Sequence, residues 1–381
     1  MTKESTKSWL RINSKPVDLA QISPNKDDFE GPIRDFCIQW QSGQTLFPQA
    51  TSGSTGLPTT IVLHRAQMVA SAQATAKALQ LSPPLRALLC LNTAYIGGKM
   101  MLVRAMEGGW MLEVVAPTGQ PFRALQKVYQ WPEEVVLPSL QALGLEFAAL
   151  VPLQLQNILD DPLDFRPALN QMRALIVGGA PVSPPLEQAC QSLSVPVYST
   201  YGMTETVSHI ALRRLNASPP QPYFETLPGI EIQTNADDCL CIKGAVTRHE
   251  WLVTHDQVEL LSPRRFLWLG RADHVINSGG IKIFPEKLES VISAAWAQLG
   301  PVPPFFVAGW PDDTLGQQVI LVVEGPALTP QAKESLQILL TKTLSRYEIP
   351  KKIVTLKRFE RTPTEKIRRK ATLNLINNLT A

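Results

Sequence analysis

Residues 51–58 combine four hydroxyl side chains, two glycines and a closing proline, a composition that suits a phosphate-binding loop. Glycine adopts the positive φ angles that let successive backbone N–H groups converge on an anion. The candidate phosphate-binding residues are Thr51, Ser52, Gly53, Ser54, Thr55 and Gly56. On composition alone, an ordinary Ser/Gly surface loop is the alternative. A Walker-type P-loop is disfavoured, because the segment lacks a Gly-Lys-Ser/Thr ending and a predicted strand precedes the next helix.

Two further clusters of small and polar residues follow short apolar runs. One is Gly178-Gly179-Ala180, and the other is Tyr-Gly-Met-Thr-Glu at residues 201–205. The apolar runs lie at residues 85–91, 110–115, 147–151, 174–177 and 195–198. They alternate with helical stretches, which predicts a parallel sheet with helices on its faces. Ligands of such sheets bind beyond the carboxyl ends of the strands, where both clusters would lie.

A second part of the chain begins near residue 270. A segment rich in glycine and charge leads into apolar strands at 305–309 and 319–323 and a helix at 330–344. This order predicts a smaller α+β domain of about a hundred residues. The predicted fold class is α/β, with a large N-terminal α/β domain and a smaller α+β C-terminal domain. The first forty residues give little periodic signal, and no element is predicted there.

Composition limits the classes of protein that fit. With 381 residues and 44% hydrophobic content, the chain can bury a full core and divides into two or more domains. No run reaches the roughly 18 apolar residues of a membrane span. Since residues 1–15 also lack an apolar stretch typical of a secretory signal, we expect a soluble, cytoplasmic protein. The five cysteines are never spaced C-x-x-C, which argues against a disulfide framework and a zinc site.

The charge distribution is more informative than the net charge of +3, which is too small to predict nucleic-acid binding. Residues 346–370 contain ten Lys or Arg against three acidic residues. Such a basic segment is either a solvated face or a surface that attracts a small polyanion such as ATP or coenzyme A.

Taken in order, these motifs resemble the acyl-adenylate-forming superfamily of acyl-CoA synthetases, peptide-synthetase adenylation domains and luciferases, over residues 48–370. Within it, the Tyr-Gly-Met-Thr-Glu-Thr motif, the Gly-Gly-Ala-Pro turn and the short chain are most similar to the o-succinylbenzoate–CoA ligases of menaquinone biosynthesis. The resemblance implies an ATP-dependent acid–CoA ligase that forms an acyl-adenylate and then a thioester. ATP, Mg²⁺, coenzyme A and a carboxylic acid are the implied ligands; the oligomeric state is left open.

The resemblance also implies roles for single residues. Tyr201 would stack on adenine, Thr204 would bond the α-phosphate, and Glu205 would hold Mg²⁺, for which a carboxylate is a suitable hard ligand. Asp256 and Arg271 would bind the ribose. The remaining implied nucleotide-binding residues are Gly178, Gly179, Ala180 and Gly202. Read without the resemblance, the 201–205 motif is a turn with a helix cap.

The C-terminal domain is implied to be a mobile lid. The expected domains are residues 1–270, with a shortened first subdomain, and residues 271–381, with the hinge at Asp273. Gly279 and Gly280 would let backbone approach the pantetheine arm of coenzyme A, although a tight turn between strands explains the same pair. Lys366 would bridge the acid carboxylate and the α-phosphate; in isolation it is one solvated charge among ten.

The acid pocket is assigned to four residues: Tyr95, Gly98, Lys99 and Ser208. A dianionic acid has a second carboxylate, and Lys99 or the Ser208-His209 pair could supply donors for it. The alternative for Lys99 is a surface residue beside an apolar helix.

Several positions depart from the superfamily pattern. Thr59 replaces a lysine, while His255 and Glu365 replace glycines, and only fifty residues precede the phosphate loop. Two other functions therefore stay open. One is an adenylating enzyme for another aryl or acyl acid, with a carrier protein as a possible acceptor. The other is a nucleotide-binding relative without catalysis.

Overall fold

The computed structural model of the chain describes residues 9–19, 29–50, 59–362 and 367–380. Lys366 and the candidate phosphate-binding residues Thr51 to Gly56 lie outside the described residues. In chain order, the described helices are α1 (Glu30–Gln41), α2 (Arg65–Ala78), α3 (Ile96–Gly108), α4 (Pro121–Tyr129), α5 (Val136–Leu143), α6 (Pro152–Leu159), α7 (Arg166–Leu169), α8 (Pro184–Cys190), α9 (Pro285–Ala297), α10 (Pro330–Thr341) and α11 (Arg369–Thr380).

Strands of the described ranges form two large sheets and one hairpin. They are β1 (Leu10–Ile12), β2 (Lys15–Pro16), β3 (Leu46–Ala50), β4 (Thr60–His64), β5 (Arg86–Leu89), β6 (Met111–Val114), β7 (Phe147–Leu150), β8 (Ala174–Val177), β9 (Val197–Gly202), β10 (His209–Arg214), β11 (Phe224–Thr226), β12 (Glu231–Thr234), β13 (Cys239–Lys243), β14 (Leu252–Ser262), β15 (Arg265–Arg271), β16 (Ile276–Ser278), β17 (Ile281–Ile283), β18 (Phe305–Asp312), β19 (Gly316–Glu324) and β20 (Lys352–Leu356).

The larger sheet is parallel in one half and antiparallel in the other. Its strand order is β12-β13-β14-β15-β11-β10-β9-β8-β7-β5-β6-β1-β2. Pairing is parallel from β9 through β8, β7, β5 and β6 to β1. From β9 towards β12 every pairing is antiparallel. The five predicted apolar runs all became parallel strands, and the predicted fold class is confirmed.

Helices cover both faces of the parallel strands. Strand residues alternate between two cores: Ala174 and Ile176 pack with residues of α1, α2 and α3, while Leu175 and Val177 pack with α4, α5, α6 and α8. All four residues of β8 are buried, as a continuous apolar run in a doubly covered parallel sheet requires.

The smaller sheet begins directly after the larger one ends. The 3₁₀ turn Ala272–His274 joins β15 to β16, and the sheet order is β17-β16-β19-β18, with β20 added in parallel to β19. Residues of α9 and α10 pack on one face. The strands and helix predicted for this part are present. The domain boundary at residues 270/271 and the hinge at Asp273 remain proposals.

Sequence reasoning missed the helices α1, α9 and α11. In α1 the buried residues Ile33, Phe36, Cys37 and Trp40 follow a helical spacing, although no element is predicted in the first forty residues. All five cysteines are buried with free thiols, consistent with a role as small apolar packing residues. None of the helices in the described ranges is long and apolar enough to cross a membrane.

Candidate active site

The Tyr-Gly-Met-Thr-Glu motif lies at the carboxyl end of β9. Tyr201 and Gly202 end the strand, and Thr204–Thr206 form a 3₁₀ turn. Thr206 fixes this turn, because its Oγ1 accepts a hydrogen bond from the Met203 N–H at 3.0 Å and its hydroxyl reaches the Ser208 carbonyl oxygen at 2.8 Å. Glu205 is exposed and Thr204 half-buried, so both side chains sit where a ligand can reach them.

The Gly178-Gly179-Ala180 turn lies beside this motif. It follows β8, which pairs in parallel with β9, so the two clusters share one edge of the sheet. A Cβ atom on Gly178 would clash with the Thr200 hydroxyl oxygen, and Gly179 has a φ of +83°. Close approach of the two strands therefore requires glycine at 178, and the turn requires it at 179.

Asp256 on β14 joins the motif through its carboxylate. The Tyr201 hydroxyl donates to Asp256 Oδ2 at 2.7 Å, and Trp268 Nε1 donates to Oδ1 at 3.2 Å. Asp256 is only 7% exposed, so these two donors are what make its burial tolerable. Burial and the Asp256 charge raise the pKa of Tyr201 well above its ordinary value, which keeps its hydroxyl proton available to the carboxylate. The fold thus brings together two residues that the sequence assigned to the nucleotide.

Arg271 lies opposite Asp256 in the β14–β15 pairing. Its side chain forms a two-pronged ion pair with Asp273, from Nε at 2.9 Å and from Nη2 at 3.2 Å. Next along the chain, His274 Nδ1 lies 2.5 Å from Glu286 Oε1 at the start of α9. The segment between the two sheets is therefore held by polar contacts on both sides.

Gly279 and Gly280 form the turn between β16 and β17, with φ values of +58° and +82°. A Cβ on Gly279 would press on Leu315 and on the Tyr347 ring. The tight turn given as the alternative explanation is present, and an approach to coenzyme A remains a proposal.

Lys99 lies in the first turn of α3 and is half-buried rather than fully exposed. Its Nζ donates to Gln49 Oε1 at 2.6 Å, and Gln49 Nε2 donates to the Ala94 carbonyl oxygen at 2.9 Å. Burial lowers the pKa of Lys99. Gln49 is on β3, immediately before residues 51–58, so this contact ties the proposed acid pocket to the strand that enters the candidate phosphate loop. Tyr95 precedes the helix, and Gly98 is packed against the backbone of Asn92.

Sequence reasoning missed Arg104, one and a half turns further along α3. The side chain is buried, with the residue 2% exposed, and Nη2 donates to Ser208 Oγ at 3.1 Å. Nε has no hydrogen-bond partner, and no carboxylate among the described residues pairs with the guanidinium. Burial lowers its pKa to about 10. A single arginine inside the apolar run 100–106 was the available signal.

No group of three or more His, Cys, Asp or Glu side chains in the described ranges is arranged to hold a metal ion. Glu205 therefore belongs to no such group in these ranges.

A family model described as AMP-binding enzyme matches residues 5–233. The chain belongs to the AMP-binding enzyme family. This membership confirms the predicted superfamily and the predicted enzyme class, an AMP-forming acid–thiol ligase.

Relatives within the family agree with this assignment. A curated 2-succinylbenzoate–CoA ligase from Bacillus cereus is 26% identical over 359 residues, covering 86% of this chain and 70% of the relative. A crystal structure of an AMP-forming acyl-CoA synthetase/AMP-acid ligase II-like protein from Dyadobacter fermentans is 39% identical, with a TM-score of 0.59, and the match covers 94% of this chain and 97% of that one.

The fold is also similar to that of the o-succinylbenzoate coenzyme A synthetase from Bacillus subtilis solved with ATP and a magnesium ion. That structure is 23% identical, with a TM-score of 0.68, and the match covers 86% of this chain and 69% of that one.

Proposed function

We propose that the protein is an ATP-dependent acid–CoA ligase whose acid carries a second carboxylate, with o-succinylbenzoate as the candidate substrate. The observation that carries this proposal is the buried guanidinium of Arg104. A buried charge without a counter-ion is costly, by several kcal/mol per ion. A substrate carboxylate would remove that cost and match the forked geometry of the guanidinium.

The curated relatives named 2-succinylbenzoate–CoA ligase support the same acid. The other proposed acid-pocket residues are Lys99 and Gly98 on the same helix and Tyr95 directly before it. Lys99 resembles Arg104 in having no acidic partner among the described residues, since burial alone accounts for its lowered pKa.

The geometry around Tyr201 fits a bound nucleotide. Each Asp256 carboxylate oxygen accepts one hydrogen bond and keeps a further lone pair, which two ribose hydroxyls could use. Gly178 and Gly179 leave a side-chain-free cradle at the same sheet edge. Arg271 would bind the ribose after giving up part of its pairing with Asp273.

In the proposed first half-reaction, a carboxylate oxygen of the acid attacks the α-phosphorus of ATP and the bond to pyrophosphate breaks. Acyl-AMP and pyrophosphate result. Thr204 would hold the α-phosphate, and Lys366 and residues 51–56 would position the charged oxygens. Glu205 would hold Mg²⁺, which when bound neutralises charge on the phosphate oxygens.

In the second half-reaction, the thiol of coenzyme A attacks the acyl carbonyl, loses its proton and displaces AMP. We propose that residues 271–381 turn about Asp273 between the two steps. Hinges consist of a few residues in loops or at the ends of helices and strands, where large changes in φ and ψ are absorbed. Asp273 lies in such a place, the 3₁₀ turn between the two sheets.

Thioester formation with o-succinylbenzoate, benzoate and fatty acids tests this proposal. Selective use of o-succinylbenzoate would support it. Preference for another acid, or transfer to a carrier protein instead of coenzyme A, would replace the substrate assignment. No acid-dependent ATP–pyrophosphate exchange with any acid would favour the nucleotide-binding relative without catalysis.

A further inference from the structure

A line of hydrogen bonds leads from Arg104 into the helix α2. Arg104 Nη2 lies 3.1 Å from Ser208 Oγ, and Ser208 Oγ lies 3.4 Å from His209 Nδ1. His209 Nε2 lies 3.1 Å from Thr75 Oγ1, which in turn lies 3.0 Å from the Ser71 carbonyl oxygen. His209 and Thr75 are 5% and 0% exposed, so this line is shielded from water.

The groups at the two ends of this line determine which atom donates in each hydrogen bond. A guanidinium only donates, so Ser208 Oγ accepts from Arg104. A carbonyl oxygen only accepts, so the single hydroxyl proton of Thr75 goes to Ser71, one helical turn back, as helical threonines commonly arrange it. Thr75 Oγ1 must then accept from His209, which places the imidazole proton on Nε2.

The protonation state of the His209 imidazole follows from the groups around it. Of the charged groups in the described ranges, Arg104 is the one whose charge lowers the pKa of His209, because a second positive charge beside the guanidinium is unfavourable. Burial acts in the same direction and is the larger cause, so the pKa of His209 lies well below its ordinary value. In the neutral ring with its proton on Nε2, Nδ1 is an acceptor, and the Ser208 hydroxyl donates to it.

We propose that His209, held by Thr75 with its proton on Nε2, is a positioning residue that orients Ser208 and through it the guanidinium of Arg104. This inference rests on the proposed function, in which Arg104 binds the second carboxylate of the acid. It changes the expected role of Ser208, because the one proton of that hydroxyl goes to His209. Ser208 then accepts from Arg104 and does not donate to the substrate.

Preorganisation of this kind affects binding of the acid more than the chemical steps. If the line is broken, Arg104 keeps its charge but loses a fixed orientation, and the acid must order it on binding. The effect should appear in the KM for the acid, while the KM for ATP and kcat stay close to their original values.

The first test reads the tautomer in the full-length protein. Two-bond ¹H–¹⁵N correlation spectra of ¹⁵N-histidine-labelled protein distinguish the two neutral tautomers, and His209→Gln assigns the signal among the five histidines. The expected pattern is a neutral ring with its proton on Nε2. A proton on Nδ1, or a charged ring at neutral pH, would overturn the proposal. This measurement needs no substrate and stands even if the proposed acid is wrong.

The second test compares Thr75→Val with Thr75→Ser. Valine keeps the shape of threonine but removes the acceptor, so the KM for the acid should rise about tenfold, as expected for loss of a buried hydrogen bond. Serine keeps the hydroxyl and should restore the wild-type KM. An unchanged KM for Thr75→Val would contradict the proposal. If the wild-type protein prefers another acid, the KM for that acid is measured, which separates this failure from that of the substrate assignment.

Discussion

Arg271 donates to both carboxylate oxygens of Asp273, so the proposed ribose-binding cation is paired with the proposed hinge residue. The pair lies where the larger sheet ends and the smaller one begins. If Arg271 binds the ribose and Asp273 is the hinge, as proposed, this one ion pair would connect nucleotide binding with the position of the smaller sheet.

Asp273→Asn should slow thioester formation more than adenylation. The amide keeps the size of the side chain but gives up a charged two-pronged contact of about 1 kcal/mol, which corresponds to roughly a fivefold change in rate. Overall turnover to thioester and ATP–pyrophosphate exchange would be measured separately. Glu225→Gln is the matched control, since it breaks the Arg265–Glu225 pair at the other end of β15. Equal loss in both half-reactions would argue against a hinge at Asp273.

Tyr201→Phe should weaken ATP binding. The change removes the hydroxyl that donates to Asp256 Oδ2 at 2.7 Å. Asp256 is 7% exposed, so this buried oxygen loses a hydrogen bond that water does not readily replace. A loss of about 1–3 kcal/mol in the free energy of unfolding and about a tenfold rise in the KM for ATP are expected. Tyr198→Phe on the same strand is the control, because its hydroxyl bonds to no other described residue. An unchanged KM for ATP would place the nucleotide elsewhere.

Gly178→Ala should impair the nucleotide site through its neighbour on β9. The added methyl group clashes with the Thr200 hydroxyl, so the turn after β8 must shift. We expect the KM for ATP to rise about tenfold or more, and the double variant Gly178→Ala/Thr200→Ala to recover most of that loss. If the two substitutions simply add, the clash does not explain the effect.

Acidification should destabilise the fold through His209. Because its pKa is lower in the folded protein than in the unfolded chain, the unfolded chain binds the extra proton as the pH falls below about 6.5. The associated stability is fully present above that pH and is lost below it, at about 1.4 kcal/mol per pH unit. Urea unfolding between pH 5.5 and 7.5 should show a shallower pH dependence for His209→Gln than for the wild-type protein. His255→Gln, at an exposed site, should match the wild-type slope, and identical slopes for all three proteins would refute the assignment.

Local sequence patterns predicted much of the fold. The runs that became β7 and β8 are apolar at every position, because both sheet faces are covered, and that pattern is visible without tertiary information. The helix α1 shows the limit of this reading, since its apolar spacing sits within otherwise uninformative residues.

The site was predicted where a motif is continuous in sequence and missed where it depends on tertiary contacts. The Tyr201–Asp256 hydrogen bond joins residues 55 positions apart. The strand order β14-β15-β11-β10-β9 brings these two side chains together, and that order is not visible in the local sequence. Arg104 was missed because a single arginine in an apolar helix is expected at the surface, and only the structure shows that it is buried. Ser208 and its neighbour His209 were named from the sequence, but the contact of Ser208 with Arg104 was not.

The most direct test of the proposed function compares two acids on two proteins. The acids are o-succinylbenzoate and an analogue in which the carboxylate that is not activated is replaced by a carboxamide; the proteins are wild type and Arg104→Gln. The wild-type protein should prefer the diacid by about a hundredfold in kcat/KM for thioester formation, since loss of a buried charge partner costs about 2–5 kcal/mol, and Arg104→Gln should abolish most of that preference. Equal use of both acids by the wild-type protein, or the same preference in both proteins, would contradict the account.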